Sequence, residues 1–276
     1  MDEIHSPLTA WRRVLGCLAL TLSMAPLQAV LLSLGAIGLS RRWARLYWRG
    51  MAFMLGMRLI VRGTLSERRP TLYICNHISY LDIVALGAVL DAAFVAKAEI
   101  RGWPGIGIVA RLGRTVFVDR RRGNSKEHRD SMLERLTKAR ESVILFPEGT
   151  SNDGNLVGAF KSALLSAAAV KDTEGHALAV QPVTIAYTRL DGMPIGRSLR
   201  ALYAWFGDMA LAPHMWTMIG LGITTIEIEL HPVTSLEQFG SRKALSDHCY
   251  RTIANGLAAA NAGRLPEVGE AVPDLA

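Results

Sequence analysis

The sequence predicts an α/β protein with a mixed, largely parallel sheet flanked by helices, preceded by an N-terminal membrane-associated helical segment. Two patterns predict this fold class. Short apolar runs rich in β-branched residues recur along most of the chain with helical stretches between them, which is typical of a sheet covered by helices. Ahead of these runs, residues 14–40 contain no charged side chain, and such a run is long enough to associate with a membrane as a helix.

The composition fits a folded chain that meets lipid over part of its length. The 276 residues suit one large domain or a domain with an appendage. Half of them are hydrophobic and a fifth are charged, which excludes the disordered, collagen-like and low-complexity classes. The mean hydropathy of +0.22 is high for a soluble protein, and we therefore expect a lipid-facing part.

The net charge is basic and is carried mainly by arginine. It amounts to +7, and 25 of the 31 basic residues are Arg. Guanidinium groups form paired hydrogen bonds to phosphate and carboxylate, so this bias suits an anionic partner. Candidates are nucleic acid, an anionic membrane surface and a phosphorylated carrier. A genome that favours arginine codons explains the same bias equally well.

The three cysteines indicate no cross-linked or metal-bound framework. Cys17, Cys75 and Cys249 form no CxxC pair, so neither a disulfide framework nor a cysteine metal site is predicted. We expect a reducing compartment for the part of the chain that holds Cys75 and Cys249.

The first predicted element is a membrane anchor within residues 1–57. The charge-free run Val14–Ser40 exceeds the length that crosses a bilayer as a helix, and it is longer than the apolar part of a signal peptide. Pro26 at its centre fits either a kinked span or an interfacial hairpin with both ends on the cytoplasmic face. Two core helices of a soluble bundle are the alternative. Tryptophan and arginine flank the run, as expected at a lipid interface: Trp11, Arg12 and Arg13 before it, and Arg41, Arg42, Trp43 and Arg45 after it.

Two further apolar stretches bear on lipid contact. From Arg41 to Ile60, arginines alternate with large apolar residues, which predicts an amphipathic helix in the headgroup plane. Residues 201–223 are also apolar, but Asp208 and His214 interrupt them. We interpret that stretch as a buried strand plus loop, or as a surface that dips into lipid.

The second predicted unit spans residues 58–262 and is followed by a frayed tail over residues 263–276. Its alternating elements place strands and helices in turn, and ligands in such sheets bind at the carboxyl ends of the strands. The predicted strands are Arg58–Arg62, Leu72–Cys75, Ala93–Ala96, Thr115–Val118, Val143–Phe146, Val180–Tyr187 and Thr225–His231. The predicted helices are Ile78–Val89, Ile106–Leu112, Glu127–Arg140, Lys161–Val170 and Ser246–Ala260.

A histidine and an aspartate follow the second predicted strand, in the run Asn76 to Asp82. On a regular helix their spacing of five residues separates the side chains by about 140°, so they would not face each other. They meet if His77 lies in the loop before the helix and Asp82 lies in its first turns. The carboxylate then holds one imidazole nitrogen as a donor and leaves the other as a base, which is the histidine–aspartate half of a catalytic triad. A helix-capping polar pair is the alternative.

A second candidate group comes directly after the strand Val143–Phe146. There, Glu148, Gly149 and Thr150 form a turn that brings a carboxylate, backbone amides and a hydroxyl together at a strand's carboxyl end. A plain glycine turn is the alternative.

The order and spacing of four blocks resemble the glycerolipid (lysophospholipid) acyltransferase family over roughly residues 58–232. The blocks are NHISYLD from Asn76, VFVDR from Val116, FPEGT from Phe146 and VQPV from Val180. The resemblance implies that residues 58–262 are an acyltransferase domain, with His77 and Asp82 as catalytic residues. It also implies acceptor binding by Arg120 and by the Glu148-Gly149-Thr150 turn.

The resemblance implies an O-acyltransferase that moves a fatty acyl group to the free hydroxyl of a lysolipid. The donor would be acyl-CoA or acyl carrier protein as a co-substrate, with no other cofactor and no metal. We expect the bilayer as a partner and a bacterial-type inner membrane location, with the catalytic domain facing the cytoplasm.

The acceptor is open between two lysolipids. The first choice is 1-acyl-sn-glycerol-3-phosphate, which would give phosphatidate. However, Ser151 stands where enzymes that acylate glycerol phosphates commonly have an arginine that helps to hold the acceptor phosphate. The run EGTSNDGN, and later the run Ala186 to Arg189, resemble the branch that acylates lyso-ornithine lipid, which is the alternative acceptor.

Three other interpretations compete with this one. A membrane-tethered nucleic-acid-binding protein fits the net charge, but the basic residues are scattered and no DNA- or RNA-binding motif occurs, so no nucleic-acid partner is expected. A serine hydrolase of the α/β class would need a G-x-S-x-G turn, and the sequence contains none. An inactive family member would lack the catalytic pair, whereas His77 and Asp82 are both present.

Overall fold

The computed structural model describes residues 4–103, 105–118, 136, 140–171 and 175–265. Their strands form one sheet of eight strands in the order β1-β8-β6-β2-β5-β3-β4, and β7 pairs with the far end of β6. The strands are β1 Met57–Gly63, β2 Thr71–Cys75, β3 Ala93–Lys97, β4 Val116–Val118, β5 Val143–Leu145, β6 Ala179–Leu190, β7 Met193–Pro194 and β8 Thr224–Leu230.

The sheet is mixed and largely parallel, which confirms the predicted fold class. Strands β6, β2, β5, β3 and β4 run parallel to one another, β8 runs antiparallel to β6, and β1 runs parallel to β8. The carboxyl ends of the parallel block therefore meet at one edge of the sheet. All seven predicted strands are present within two or three residues of their predicted ends.

Helices cover both faces of this sheet. The α-helices are α1 Pro7–Ser33, α2 Ile37–Met54, α3 Leu81–Val89, α4 Ile106–Leu112, α5 Arg197–Arg200, α6 Leu211–Ile219 and α7 Arg242–Asn261. Short 3-10 helices lie at Ala98–Gly102, Ser162–Ala169 and Leu236–Gln238. The predicted helix over residues 127–140 lies outside the described residues, except for residue 136 and the final residue, 140.

Two helical predictions and one strand prediction need correction. Helix α3 begins at Leu81 instead of Ile78, because the preceding amides bond a side chain. The segment predicted as helix Lys161–Val170 is a 3-10 helix. The strand expected within residues 201–223 is absent, and this described stretch holds helix α6 instead.

The N-terminal segment folds as a helical hairpin against the sheet unit. Helix α1 is the one described helix that is long and apolar enough to cross a membrane. It contains Pro26, and it ends before a tight connection in which Gly35 adopts a positive φ of 66°. Helix α2 then returns alongside α1 and is amphipathic, as its alternating arginines predict. It spans Ile37–Met54 instead of the predicted Arg41–Ile60, because residues 57–60 pair with β8 as part of β1.

Two apolar clusters hold the sheet between its helical layers. On one face, α3 and the segment around Tyr203 pack on β2, β5, β6 and β8. On the other face, α7 and the 3-10 helix Ser162–Ala169 pack on the same central strands. A third, smaller cluster joins α2 to α3 through Trp48, Ala52, Val84 and Ala88. Both sides of the central strands are therefore buried, which fixes the loops at their carboxyl ends.

Candidate active site

The candidate site begins where the buried strand β2 ends. All five residues of β2 are buried, and the next side chain, Asn76, bonds the backbone of β6 twice. Its amide nitrogen donates to the carbonyl of Ile185 at 3.0 Å, and its oxygen accepts from the Ile185 N–H at 2.9 Å. These bonds fix the end of β2 laterally, so the following loop leaves the sheet edge in a defined direction.

His77 and Asp82 meet in the arrangement that the spacing requires. His77 lies in the loop after β2, and Asp82 lies in the first turn of α3. The distance from His77 Nδ1 to Asp82 Oδ2 is 2.8 Å. The carboxylate thus holds Nδ1 as the protonated nitrogen and leaves Nε2 as the basic one.

The Asp82 carboxylate is completely buried and accepts four hydrogen bonds. Oδ2 accepts from His77 and from the backbone N–H groups of Ile78 at 2.7 Å and Ser79 at 3.0 Å. Oδ1 accepts from the hydroxyl of Tyr187 at 2.8 Å. An ionised carboxylate only accepts hydrogen bonds, so these four donors match that form.

One face of the His77 imidazole packs against an aromatic ring, and the ring edge that carries Nε2 is accessible. Its ring stacks on Phe146, with 4.2 Å between ring centroids and 19° between ring planes. The side chain is 22% exposed. Within the described part of the chain, Nε2 has no hydrogen-bond partner. The geometry therefore presents one basic nitrogen outward at the carboxyl edge of the sheet.

Glu148 lies beside His77, but its carboxylate points into the protein. Oε1 accepts the backbone N–H of His77 at 2.7 Å, and Oε2 accepts the N–H of Gly158 at 2.6 Å and the side-chain amide of Asn152. Burial raises the pKa of this carboxyl to about 7, although these donors and the charge of His77 act in the opposite direction. Its contacts join the loop after β2 to the loop after β5.

The other acceptor-binding candidates differ in their surroundings. Gly149 is buried and adopts a φ of 77°, which favours glycine at this turn. Thr150 is exposed. The next residue, Ser151, donates its hydroxyl to the backbone carbonyl of Trp205. Arg120 lies outside the described residues, so its predicted role in acceptor binding stays a prediction.

An aromatic group beside the site was not predicted from the sequence. The backbone N–H of Trp205 donates to the carbonyl of Ile78 at 3.1 Å, which ties this segment to the loop that carries His77. The Trp205 ring makes edge contacts with Tyr80 and Trp103, both with centroids 6.2 Å apart. The sequence signal was only the aromatic content of the apolar stretch 201–223, and the contacts depend on tertiary folding.

The predicted absence of a metal stays a prediction. Among the described residues, no group of three or more His, Cys, Asp or Glu side chains is arranged to hold a metal ion. His214 bonds the Tyr80 hydroxyl at 3.1 Å and the Leu202 carbonyl at 3.1 Å. His231 bonds the Thr184 hydroxyl at 2.8 Å.

Known proteins with a similar sequence or fold are acyltransferases. A family model described as "Acyltransferase" matches residues 58–186. A lyso-ornithine lipid O-acyltransferase of Brucella abortus is 40% identical over 248 residues, which are 89% of this chain and 91% of that protein. A 1-acyl-sn-glycerol-3-phosphate acyltransferase of Neisseria meningitidis is 30% identical over 207 residues, 74% of this chain and 76% of that protein.

A solved structure supports the same fold. The crystal structure of a 1-acyl-sn-glycerophosphate (LPA) acyltransferase from Thermotoga maritima matches with a TM-score of 0.58. The match covers 92% of this chain and 100% of that chain at 22% sequence identity. This identity is low, so the likeness bears on the fold alone.

These findings define the chain as an enzyme of the acyl-transferring class, built on a mixed sheet with an apolar helix at its N-terminus. It belongs to the acyltransferase family and acts as a lysolipid acyltransferase. The family resemblance found in the sequence is thereby confirmed.

Proposed function

We propose that this acyltransferase acylates the hydroxyl of lyso-ornithine lipid, with His77 as the general base and Asp82 as the carboxylate that orients it. The observation that carries the catalytic part is the 2.8 Å contact between His77 Nδ1 and Asp82 Oδ2, with Nε2 left on the exposed edge of the ring. With the proton on Nδ1, the unprotonated Nε2 accepts the proton of an attacking hydroxyl.

Two observations favour lyso-ornithine lipid over the sequence-based first choice, 1-acyl-sn-glycerol-3-phosphate. The Brucella relative named for lyso-ornithine lipid is 40% identical, whereas the Neisseria relative named for the glycerol phosphate is 30% identical. In addition, Ser151 replaces the expected arginine and donates its hydroxyl to the Trp205 carbonyl. Position 151 therefore offers no cation to an acceptor phosphate.

The proposed reaction is a direct transfer between two substrates. The acceptor hydroxyl gives its proton to His77 Nε2 while its oxygen bonds the thioester carbonyl carbon. The carbon–sulfur bond then breaks, and the imidazolium returns the proton to the leaving thiolate. Proton transfer by a positioned base contributes about 10²- to 10⁴-fold to such reactions.

Some backbone N–H groups at the site already donate hydrogen bonds within the protein, so they are not free to stabilise the oxyanion. Two groups of backbone amides lie near His77, those before helix α3 and those of the turn Glu148-Gly149-Thr150. The N–H groups of residues 77, 78 and 79 are already bonded to Glu148 and Asp82. We therefore assign oxyanion stabilisation to the backbone of the turn, which lies at the same sheet edge. Within it we assign the Thr150 N–H, because the Gly149 N–H donates to the Phe146 carbonyl at 3.1 Å.

The donor is proposed to be acyl-CoA or acyl carrier protein, with no other cofactor. A thioester supplies its own activated carbonyl, and the described side chains supply the base. Acyl carrier protein as a partner, and Arg120 as an acceptor-binding residue, belong to this proposal.

We further propose that the N-terminal hairpin lies in the membrane interface with both ends on the cytoplasmic side. Helix α1 is fixed to the domain near both ends. Arg13 donates to the carbonyls of Ile219, Leu221 and Gly222, and the Gln28 amide donates to the carbonyl of Leu112 at 2.7 Å. A helix held along the domain suits an interfacial position better than a kinked span.

The opposite face of α1 carries an exposed apolar stripe at intervals of three and four residues. The stripe consists of Leu8, Trp11, Leu15, Leu18 and Leu22. It would place the lysolipid acceptor and the diacyl product beside the catalytic domain. The location proposed for the whole chain is a bacterial inner membrane, with the catalytic domain in the cytoplasm.

A competition assay tests the acceptor. Purified protein in detergent or vesicles receives labelled acyl donors with lyso-ornithine lipid and 1-acyl-sn-glycerol-3-phosphate, separately and together. The proposal predicts a labelled ornithine lipid as the main product. Phosphatidate as the main product would overturn the acceptor assignment and leave the acyltransferase class intact.

Two variants test the catalytic assignment in the same assay. His77→Ala and Asp82→Asn are expected to fold and to lose nearly all acyl transfer, because each removes one part of the base. His248→Ala, on α7 and packed against Phe239, is the matched histidine control and should keep its activity. Full activity of His77→Ala would contradict the proposed mechanism.

A further inference from the structure

A buried tyrosine contacts the carboxylate that orients His77. Tyr187 lies towards the carboxyl end of β6, an inner strand of the sheet, and is 2% exposed. Its hydroxyl donates to Asp82 Oδ1 at 2.8 Å. A phenolic hydroxyl placed in an apolar core needs a polar partner. Here that partner is a residue of the proposed catalytic pair.

We infer that Tyr187 is a positioning residue for acyl transfer, whose hydroxyl locks the Asp82 carboxylate in the orientation that presents Oδ2 to His77. The inference rests on the proposed roles of His77 and Asp82. It assigns Tyr187 no contact with substrate and no step of proton transfer.

The two oxygens of Asp82 divide the contacts unequally. Oδ2 bonds His77 and the amides of Ile78 and Ser79, whereas Oδ1 bonds only Tyr187 within the described part of the chain. Without the phenol, Oδ1 would be a buried acceptor with no partner. Such a group destabilises its surroundings unless it moves to find one. By donating to Oδ1, the Tyr187 hydroxyl therefore stabilises the observed orientation of the carboxylate.

The backbone and a second ring hold Tyr187 in place. The register between β6 and β8 shifts between Tyr187 and Arg189, and such irregularities redirect side chains next to active sites. The Tyr187 ring stacks on Tyr203, with 5.2 Å between centroids and 24° between ring planes. The Tyr203 hydroxyl accepts from Thr224 at 3.2 Å and does not reach Asp82. Tyr203 thus supports the ring, and of the two stacked tyrosines Tyr187 is the one whose hydroxyl bonds the carboxylate.

The buried phenol and thiol groups near the pair keep their protons at neutral pH. Burial, followed by the charge of Asp82, raises the pKa of Tyr187 and of Cys75 well above their usual values. Burial also raises the pKa of Tyr80. Glu148, on the other side of His77, is the neighbour whose raised pKa lies near neutral pH. An effect of Tyr187 on the pH profile must therefore be separated from the titration of Glu148.

The test compares Tyr187→Phe with Tyr203→Phe. Each variant removes one buried hydroxyl from the same stacked pair, but only the first takes a donor from Asp82. With three donors, the carboxylate attracts the imidazole proton more strongly. We expect Tyr187→Phe to lower kcat by about 3- to 30-fold and to move the acid limb of the kcat/KM profile upward by about half a pH unit. Tyr203→Phe should leave the profile in place.

Repeating Tyr187→Phe in the Asp82→Asn background decides how it acts. If Tyr187 works through the carboxylate, its effect on residual activity disappears there. An unchanged pH profile, or equal losses in both tyrosine variants, would overturn the inference. So would an undiminished effect in the Asp82→Asn background. Full activity of His77→Ala would instead overturn the proposed catalytic roles of His77 and Asp82, on which this inference rests.

Discussion

The carboxylate of Glu148 joins the two loops that form the candidate site. Family resemblance assigns this residue to acceptor binding, but its oxygens face the backbone of His77 and Gly158 and the side chain of Asn152. We therefore propose that Glu148 acts on the reaction through the position of His77 and not by binding the acceptor. The two roles differ in the kinetic constant that they affect.

Replacing Glu148 with Gln separates these roles. The amide cannot accept all three hydrogen bonds, so the N–H of either His77 or Gly158 loses its acceptor and the link between the two loops weakens. We expect kcat to fall by about 10- to 100-fold with little change in KM for the acceptor. Glu237→Gln, at an exposed site, serves as the control. A large rise in KM with kcat preserved would instead support direct acceptor binding.

Stability should also respond to the titration of Glu148. Burial raises its pKa from 4.5 to about 7, so the folded chain retains a proton that the unfolded chain releases between these values. Stability from this proton is fully present below pH 4.5 and is lost as the pH rises through 7. Relative to Glu148→Gln, the free energy of unfolding should fall by about 3 kcal/mol over this range. Denaturant titrations at several pH values measure it, and parallel pH dependences would contradict it.

The sequence could predict the contacts of the site that are local and not those that are distant. His77 and Asp82 are five residues apart, so one turn geometry decides whether they meet. Tyr187 is 105 residues from Asp82, and its contact depends on the order and register of the strands. Its only sequence signal was a tyrosine within an apolar strand.

At the scale of the elements, apolar runs predicted the strands better than the helix ends. Both faces of β2 and β5 are buried, so continuous β-branched runs mark them clearly. The start of α3 shifted because Asp82 binds the amides of Ile78 and Ser79, and such side-chain bonds compete with helical ones. Apolar periodicity contains no information about that competition.

Helix α3 also depends on a close approach to the N-terminal hairpin. A Cβ atom on Gly87 would lie 2.7 Å from the ring of Trp48, which is buried on α2. We expect Gly87→Ala to destabilise the fold by about 1–3 kcal/mol, because the ring must move in a packed interface. Thermal unfolding in detergent measures this change.

Another helical glycine provides the control for Gly87→Ala. A Cβ atom on Gly38, which lies in the first turn of α2, would have no neighbouring heavy atom within 4 Å. Gly38→Ala should therefore leave stability unchanged or raise it, since alanine favours helix. Equal effects of the two substitutions would exclude the packing explanation.

At the scale of the whole molecule, the hairpin combines docking to the domain with an outward apolar face. The sequence predicted the apolar run but left a kinked span, an interfacial hairpin and a soluble bundle open. Periodicity alone could not choose, because the choice depends on Arg13 and Gln28 bonding carbonyls 206 and 84 residues away. In the described structure, only 17% of the most apolar 18-residue stretch of α1 is buried. This argues against a core helix of a soluble bundle.

Membrane attachment through the α1 stripe predicts a position-dependent loss of partitioning. Leu22 is 74% exposed on the stripe, and Met193, which belongs to β7 and not to the stripe, is 71% exposed. Insertion of one leucine side chain into lipid contributes about 1.5–3 kcal/mol. Leu22→Gln should therefore weaken co-flotation with neutral phosphatidylcholine vesicles by about tenfold or more, whereas Met193→Gln should change it little. Both changes are uncharged, so electrostatic attraction does not confuse the comparison. Equal partitioning of the two variants would mean that the stripe does not face lipid.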